Sequence, residues 1–64
     1  MNEKTVTIRY TNWKGETKDR HITPKIMFWG STNYHQELQW LLMAFDEDKQ
    51  LERIFAMRDI QKWE

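Results

Sequence analysis

The stretch of residues 38–46 is the most apolar run in a chain that is otherwise polar and heavily charged. Read with the two-residue period of a β-strand, it is apolar on both faces. One face carries Trp40, Leu42 and Ala44, and the other carries Leu41, Met43 and Phe45. An acidic turn and a second short apolar run follow it, which favours a strand over a helix. We therefore predict a central strand here, and expect the core to contain Trp40, Leu42, Phe55, Ile8 and Val6.

The chain has 64 residues, which is near the lower size limit for a self-sufficient core, and we predict one domain over residues 1–64. It has no cysteine, so it has neither disulfides nor thiolate zinc ligands, and this composition suits the cytosol. It also has no apolar run of membrane-spanning length and no secretion signal at the N-terminus. These features predict a cytoplasmic protein that does not enter a membrane.

Alternating apolar and polar residues separated by turn residues predict five short strands. Their expected ranges are 5–11, 18–23, 25–29, 38–46 and 51–57. Gly15 serves the first turn, the polar segment 18–23 is expected at a sheet edge, and Pro24 is expected to end or bend it. The tail after residue 57 is too short for more than one helical turn. The fold class predicted is all-β, a small five-stranded barrel or strongly bent sheet.

Charge is unevenly distributed along the chain, although ten basic and ten acidic residues give a net charge of zero. Residues 1–32 carry a net charge of +3, and residues 33–64 carry −3. This asymmetry permits a local basic patch without making the whole molecule a binder of polyanions. The chain also has four tryptophans, two tyrosines and three phenylalanines, more than a minimal core needs. Some of these rings are therefore expected at the surface, where they can stack or dock.

Short motifs spread over residues 6–60 resemble the WYL domain family, the small barrels attached to many bacterial transcription regulators. In order, they are Tyr10, Gly15, Arg20, Ile22, Pro24, Gly30, Trp40-Leu41-Leu42, Ala44, Arg53, Phe55 and Ile60. The resemblance implies an Sm-like (Src-homology-3-like) β-barrel. It also implies a ligand-sensing role, because WYL domains bind nucleic-acid fragments or nucleotides and pass that signal to an attached DNA-binding domain.

The chain departs from the family pattern in three places. Leu41 replaces the middle tyrosine, Asp59 replaces the usual arginine before the last isoleucine, and the connection from Gly30 to Trp40 is longer. Neither a helix-turn-helix nor a C-terminal extension is found in the sequence. The resemblance therefore implies a stand-alone barrel that reaches its target in trans.

Three arginines are candidates for an anion or phosphodiester site, because guanidinium groups bind phosphate through two hydrogen bonds. They are Arg20, Arg53 and Arg58, with Lys18 and Lys25 near in sequence. Two aromatic residues, Trp13 and Tyr34, are candidates for stacking bases. Of these residues, the family resemblance reaches only Arg20 and Arg53. In the alternative interpretation the arginines are solvated and paired with neighbouring acids: Asp19, Glu52 and Asp59.

No motif predicts catalysis, a metal or a cofactor. The two histidines, His21 and His35, are fourteen residues apart and have no carboxylate at a regular ligand spacing. The acidic segment 46–48 lacks the spaced oxygen ligands of a calcium loop and is better explained as a turn. The only serine is Ser31, and no phosphate-binding loop or nucleophile elbow occurs. We therefore expect a protein that is not an enzyme.

Two functions remain open from the sequence. The first is a WYL-like sensor that binds single-stranded nucleic acid or a nucleotide through arginines and exposed aromatic rings. The second is a protein-interaction module, for example a homodimer or a phage-type modulator of a host protein. That module would bury Leu41, Met43, Phe45 and the tryptophans against another chain. Salt separates the two, because phosphate-driven binding weakens steeply as salt rises and apolar association changes little.

Overall fold

The computed structural model describes residues 4–64, so Glu3 and the other two N-terminal residues of the predicted domain lie outside the described residues. The strands are β1 (Val6–Thr11), β2 (Thr17–Gly30), β3 (Gln39–Asp46), β4 (Leu51–Ala56) and β5 (Ile60–Trp63). A 3-10 turn, Met57–Asp59, precedes β5. All five strands form one antiparallel sheet in the order β4-β3-β2-β1-β5. The predicted all-β class is confirmed.

The longest strand, β2, takes the place of two predicted strands. Segments 18–23 and 25–29 are not separate strands but parts of β2, which has 14 residues and continues through Pro24. The pairing of β2 with β3 is irregular between Pro24 and Ile26. A proline is tolerated at such a bulge, where the ladder is already interrupted and its missing N–H costs little.

The strand β2 lies between β1 and β3 in the sheet, but over residues 18–21 it pairs with β1 alone, so the segment predicted as an edge has a strand neighbour on one side only. Its first part pairs with β1 as far as Ile22, and its second part pairs with β3 from Ile22 to Gly30. Ile22 is thus the one β2 residue in register with both neighbours among the described residues. Each half of β2 has a strand on one side only, which lets the sheet bend at Ile22.

The segment predicted as the central strand is β3, which lies between β2 and β4 and is one place from the edge. The fifth predicted strand is β4, and the predicted helical turn is the 3-10 turn at Met57–Asp59. Sequence analysis missed β5, which pairs with β1 through Ile8 and Trp63. Four residues are too few for alternation to reveal a strand.

The core lies on the concave side of the bent sheet. Its buried apolar residues are Ile8, Tyr10, Ile22, Leu42, Ala44 and Phe55, with Val6, Met57 and Ile60 packed against them. The Tyr10 ring meets Phe55 edge to face at 4.9 Å, and its hydroxyl accepts a hydrogen bond from the Ala56 N–H at 3.0 Å. These contacts join β1 to β4 across two intervening strands. The sheet therefore curls strongly, but no pairing between β4 and β5 closes it into a barrel in the described part of the chain.

Trp40 corrects the predicted core. Ile8, Leu42 and Phe55 are buried as expected, but Trp40 is 50% exposed although it alternates in phase with Leu42. Its neighbour across the pair is Trp29, close to the end of β2, where no further strand among residues 4–64 pairs beside either residue. Leu41 is fully buried instead, so it is not available for the predicted contact with another chain.

Candidate functional site

An open cleft of about 840 Å³ lies between the turn after β1, the loop before β3 and strand β4. We call it the basic cleft, because five basic residues line it: Lys14, Lys18, Arg20, Lys49 and Arg53. Two acidic residues, Glu16 and Glu52, also line it. The chain as a whole has a net charge of zero, so this surface concentrates positive charge that the net charge conceals.

The curl of the sheet brings the basic residues together. Lys18 and Arg20 are two residues apart on β2 and therefore share a face of the strand. They lie opposite Tyr10 and Ile8, respectively, which belong to the core face of β1. Arg53 shares the core face of β4 with Phe55, the ring that packs on Tyr10. Because β1 contacts β4, the cations of β2 and the cation of β4 lie in the same cleft of the bent sheet.

Arg20 forms the floor of the basic cleft. It is only 7% exposed, and its Nη1 lies 3.5 Å from the Asp46 carboxylate, which is also buried. The other Asp46 oxygen accepts hydrogen bonds from the Asp48 and Lys49 N–H groups, so the same carboxylate holds the turn after β3. The predicted pairing with Asp19 is not formed, because Asp19 binds Arg9 at 3.2 Å. Arg20 thus has a structural role in the fold, since removing either partner leaves a buried charge uncompensated.

The guanidinium of Arg20 is not saturated by these contacts. Its Nε is buried and has no hydrogen-bond partner among residues 4–64. A buried donor without an acceptor is costly. Arg20 therefore combines a structural ion pair with one buried donor that this part of the chain leaves unsatisfied.

Three cations of the basic cleft have no acidic partner within the described chain: Lys18, Lys49 and Arg53. Arg53 is exposed on β4 and faces Ala44 across the strand pair, so no large side chain crowds it there. Exposed cations without a partner retain their hydrogen-bonding capacity for a ligand. The predicted pairing of Arg53 with its neighbour Glu52 is not formed either.

Two exposed aromatic rings stand at the rim of the cleft. Trp13 is 67% exposed and Tyr34 is 72% exposed, and their ring centroids lie 6.3 Å apart with a tilt of 32°. The Lys14 Nζ lies 5.4 Å from the centroid of the Trp13 ring, in the range of a cation–π contact. We call Trp13 and Tyr34 the ring pair. Two separate loops thus present π-faces beside a concentration of positive charge.

Local hydrogen bonds hold the ring pair in place. The Asn12 side-chain oxygen accepts from the Lys14 N–H at 2.9 Å and the Glu16 N–H at 3.0 Å. Gly15 has φ of 85°, a conformation that this turn requires and that glycine adopts at little cost. On the other loop, reciprocal backbone hydrogen bonds join Thr32 and His35 around Tyr34. The rings are exposed, but hydrogen bonds link the backbone on either side of each ring.

Arg58 is the one predicted site residue outside the basic cleft. It lines a smaller adjoining depression that shares Trp13 and Tyr34 with the cleft. Its guanidinium binds the Glu37 carboxylate at 3.1 Å, and both groups are exposed. An exposed ion pair is weak and opens readily, so Arg58 remains accessible at the rim.

The structure thus brings Trp13, Tyr34, Arg20 and Arg53 to one cleft, with Arg58 beside them. Sequence analysis missed Lys14 and Lys49. Lys49 lies in the acidic turn, where neighbouring carboxylates obscure its charge in a count along the chain. Sequence analysis also named Lys25, which does not line the cleft. Spatial proximity across the curled sheet was the missing information.

The pKa is shifted for one core residue and for both members of one exposed pair. Burial raises the pKa of the Tyr10 hydroxyl, so this group stays protonated while it accepts the hydrogen bond from Ala56. Away from the cleft, the His21 Nδ1 lies 3.0 Å from an Asp48 carboxylate oxygen. That hydrogen bond raises the pKa of His21 and lowers the pKa of Asp48.

Comparison of the chain with protein-family models, with curated proteins and with solved structures found no match. Residues 4–64 contain no helix that is long and apolar enough to cross a membrane. The same residues contain no group of three or more side chains placed to hold a metal ion.

Proposed function

We propose that the basic cleft binds an anion that carries an aromatic base, either a nucleotide or a fragment of single-stranded nucleic acid. One observation supports this most strongly: the ring pair borders the same cleft as three cations that have no acidic partner among residues 4–64. Base stacking on exposed aromatic side chains contributes about 1–3 kcal/mol per base and is tolerant of sequence. Phosphate contacts to lysine and arginine supply the charge-dependent part of binding.

Each group in the cleft has a distinct part in this proposal. Trp13 and Tyr34 stack a base, and Arg53 and Lys18 contact phosphate oxygens. The buried Arg20 is a positioning residue: it holds the turn after β3 through Asp46 and adds positive charge to the cleft lining. The ring centroids are 6.3 Å apart, slightly less than the roughly 7 Å that a base stacked between two rings would need. A small opening of the two loops, or stacking on one outer face, accommodates a base.

We further propose that the bent sheet is an open variant of the Sm-like barrel and that the protein acts as a WYL-like ligand sensor. Support for this comes from the positions of the motif residues. Tyr10 and Phe55 form the core contact that curls the sheet, while Arg20 and Arg53 line the cleft. The sensor would pass its signal to a partner in trans.

Binding of short labelled single-stranded DNA and RNA, measured by fluorescence anisotropy at two salt concentrations, tests the proposal. Arg53→Ala is expected to weaken binding about tenfold and to reduce its salt dependence, because one phosphate contact is lost. Arg9→Ala is the matched control. It removes the same charge from an exposed arginine on β1 that is outside the cleft and paired with Asp19.

The controls make the outcome decisive. Saturable binding by the native protein that is weakened by Arg53→Ala and unaffected by Arg9→Ala supports the cleft. Equal weakening by both variants would indicate nonspecific attraction to positive charge, and the cleft assignment would be wrong. Absence of binding at low salt, to oligonucleotides and to mononucleotides, would exclude the nucleotide-binding function for a folded sample.

A further inference from the structure

The ring pair borders two cavities and not one. Trp13 and Tyr34 line the basic cleft, and they also line the smaller depression that contains Arg58. We call this second cavity the side depression. Its volume is about 340 Å³, at the lower end of the roughly 300–1,000 Å³ typical of small-molecule sites. A ligand held by the ring pair can therefore extend into both cavities.

The side depression has the opposite balance of charge to the basic cleft. Two acidic residues and one basic residue line it, Glu37, Asp59 and Arg58, whereas five basic and two acidic residues line the cleft. Glu37 and Arg58 already pair with each other at 3.1 Å. The charge that remains in the side depression is therefore negative. A phosphate group is attracted to the cleft and disfavoured in the side depression.

That remaining negative charge belongs to Asp59. Its carboxylate forms no hydrogen bond or ion pair within residues 4–64. Asp59 is also partly buried, whereas Glu37 and Arg58 are both exposed. A carboxylate that has lost part of its hydration gains more from an N–H donor than a fully solvated one does. Asp59 therefore favours a ligand that presents N–H groups to the side depression.

Three segments that are distant in sequence form the side depression. The end of β1 pairs with the start of β5, which directly follows the 3-10 turn that contains Asp59. The turn after β1 carries Trp13, so this pairing brings Trp13 and Asp59 to the same cavity. The loop that carries Tyr34 joins the 3-10 turn through the ion pair between Glu37 and Arg58. The fold thus places an unpaired carboxylate in the cavity that the two rings border.

We propose that the side depression holds the base of the bound nucleotide and that Asp59 selects guanine; this rests on the proposed nucleotide binding at the basic cleft. Guanine presents two adjacent donors, N1–H and the 2-amino group, and the two oxygens of one carboxylate accept from both. Adenine, cytosine and uracil each present a single donor group on that edge, with an acceptor beside it that would face the second oxygen. Stacking on the ring pair is tolerant of sequence, so Asp59 supplies the selectivity that stacking lacks.

Isothermal titration calorimetry of the native protein with nucleoside monophosphates tests the selectivity. Guanosine monophosphate is expected to bind about tenfold more tightly than adenosine, cytidine or uridine monophosphate, because only guanine satisfies both carboxylate oxygens. Inosine monophosphate keeps N1–H but lacks the 2-amino group. It is expected to bind several-fold more weakly than guanosine monophosphate, because one of the two hydrogen bonds is lost. Both comparisons use the unchanged chain, so no substitution can affect its folding.

Asp59→Asn tests the residue itself. An amide has one acceptor and one donor, which conflict with the two donors of guanine but match the acceptor and donor of adenine. The preference for guanosine over adenosine monophosphate is expected to fall about tenfold and so to disappear. Glu37→Gln is the matched control, because it removes the same charge from the same depression at a carboxylate that Arg58 already occupies. It is expected to leave the preference unchanged, and circular dichroism establishes that both variants are folded.

The outcomes separate guanine selection from nucleotide binding. If all four nucleotides bind equally and Arg53→Ala weakens each of them, the basic cleft binds nucleotides but guanine selection is wrong. If no nucleotide binds, both proposals are wrong. A preference for guanine that survives Asp59→Asn, or that Glu37→Gln abolishes, would overturn the assignment to Asp59. Equal binding of inosine and guanosine monophosphates would likewise exclude the contact with the 2-amino group.

Discussion

The basic cleft and the cross-strand pair Trp29–Trp40 both expose aromatic rings, but the surroundings of the rings differ. At the cleft, Trp13 and Tyr34 extend from loops beside five basic residues. Trp29 and Trp40 instead belong to strands, and the other large exposed residues near them in sequence, Ile26, Met27 and Leu38, are apolar. Exposure alone therefore does not define the use of an aromatic residue, because neighbouring charge is what favours a stacked anion.

The largest expected effect separates these exposed rings from the core ring Phe55. Phe55→Ala is expected to cost about 3–5 kcal/mol of unfolding free energy, because it removes a buried ring that packs on Tyr10. Trp40→Ala, at a half-exposed position, is expected to cost about 1 kcal/mol or less. Urea denaturation at low protein concentration measures both. A larger loss for Trp40→Ala than for Phe55→Ala would mean that Trp40 is part of the core.

The same pair of residues explains what sequence can predict in this fold. Alternation identified β1, β3 and β4 and the core positions Ile8, Leu42 and Phe55, because these patterns are local. Trp40 has the same phase as Leu42, but its burial depends on whether a strand lies beyond β2 at that level. That is a property of the pairing register, which no local pattern contains.

For the candidate site, sequence identified the residue types but not the arrangement. Arg20, Arg53, Trp13 and Tyr34 were selected for their chemistry, and they gather at one cleft because Tyr10 and Phe55 curl the sheet. Neither the burial of Arg20 against Asp46 nor the contribution of Lys49 follows from sequence distance. Both depend on contacts between segments that lie 26 or more residues apart, such as the Arg20–Asp46 pair.

An intermediate effect tests directly whether the rings at the cleft are the ones used for binding. Trp13→Ala is expected to weaken oligonucleotide binding by about 1–3 kcal/mol, because one stacking face is lost. Trp29→Ala is the control, because Trp29 is also exposed but lines neither the cleft nor the depression beside it, and it is expected to leave oligonucleotide binding unchanged. Anisotropy titrations on both variants provide the measurement. If Trp29→Ala weakened binding as much as Trp13→Ala, stacking would not be confined to the ring pair and our division of the molecule would be wrong.

The smallest expected effect concerns the exposed pair His21 and Asp48, which lies on neither surface and joins β2 to the turn after β3. The folded state raises the pKa of His21 above its ordinary value of 6.5. Its stabilising contribution is therefore complete below about pH 6.5 and is lost as pH rises through the raised pKa. The folded state lowers the pKa of Asp48 below 3.8, so its contribution is complete above that pH and is lost as pH falls through the lowered pKa.

Comparison of native protein with His21→Gln by urea denaturation at a series of pH values tests this pair. The difference in unfolding free energy is expected to be largest between about pH 4 and 6.5, where histidine is charged and aspartate is ionised in both states. It should shrink as pH rises above the folded pKa of His21. Since both groups are exposed, the difference should also decrease with added salt. A difference that stays constant with pH would show that glutamine perturbs packing or backbone, and that the ion pair contributes nothing to stability.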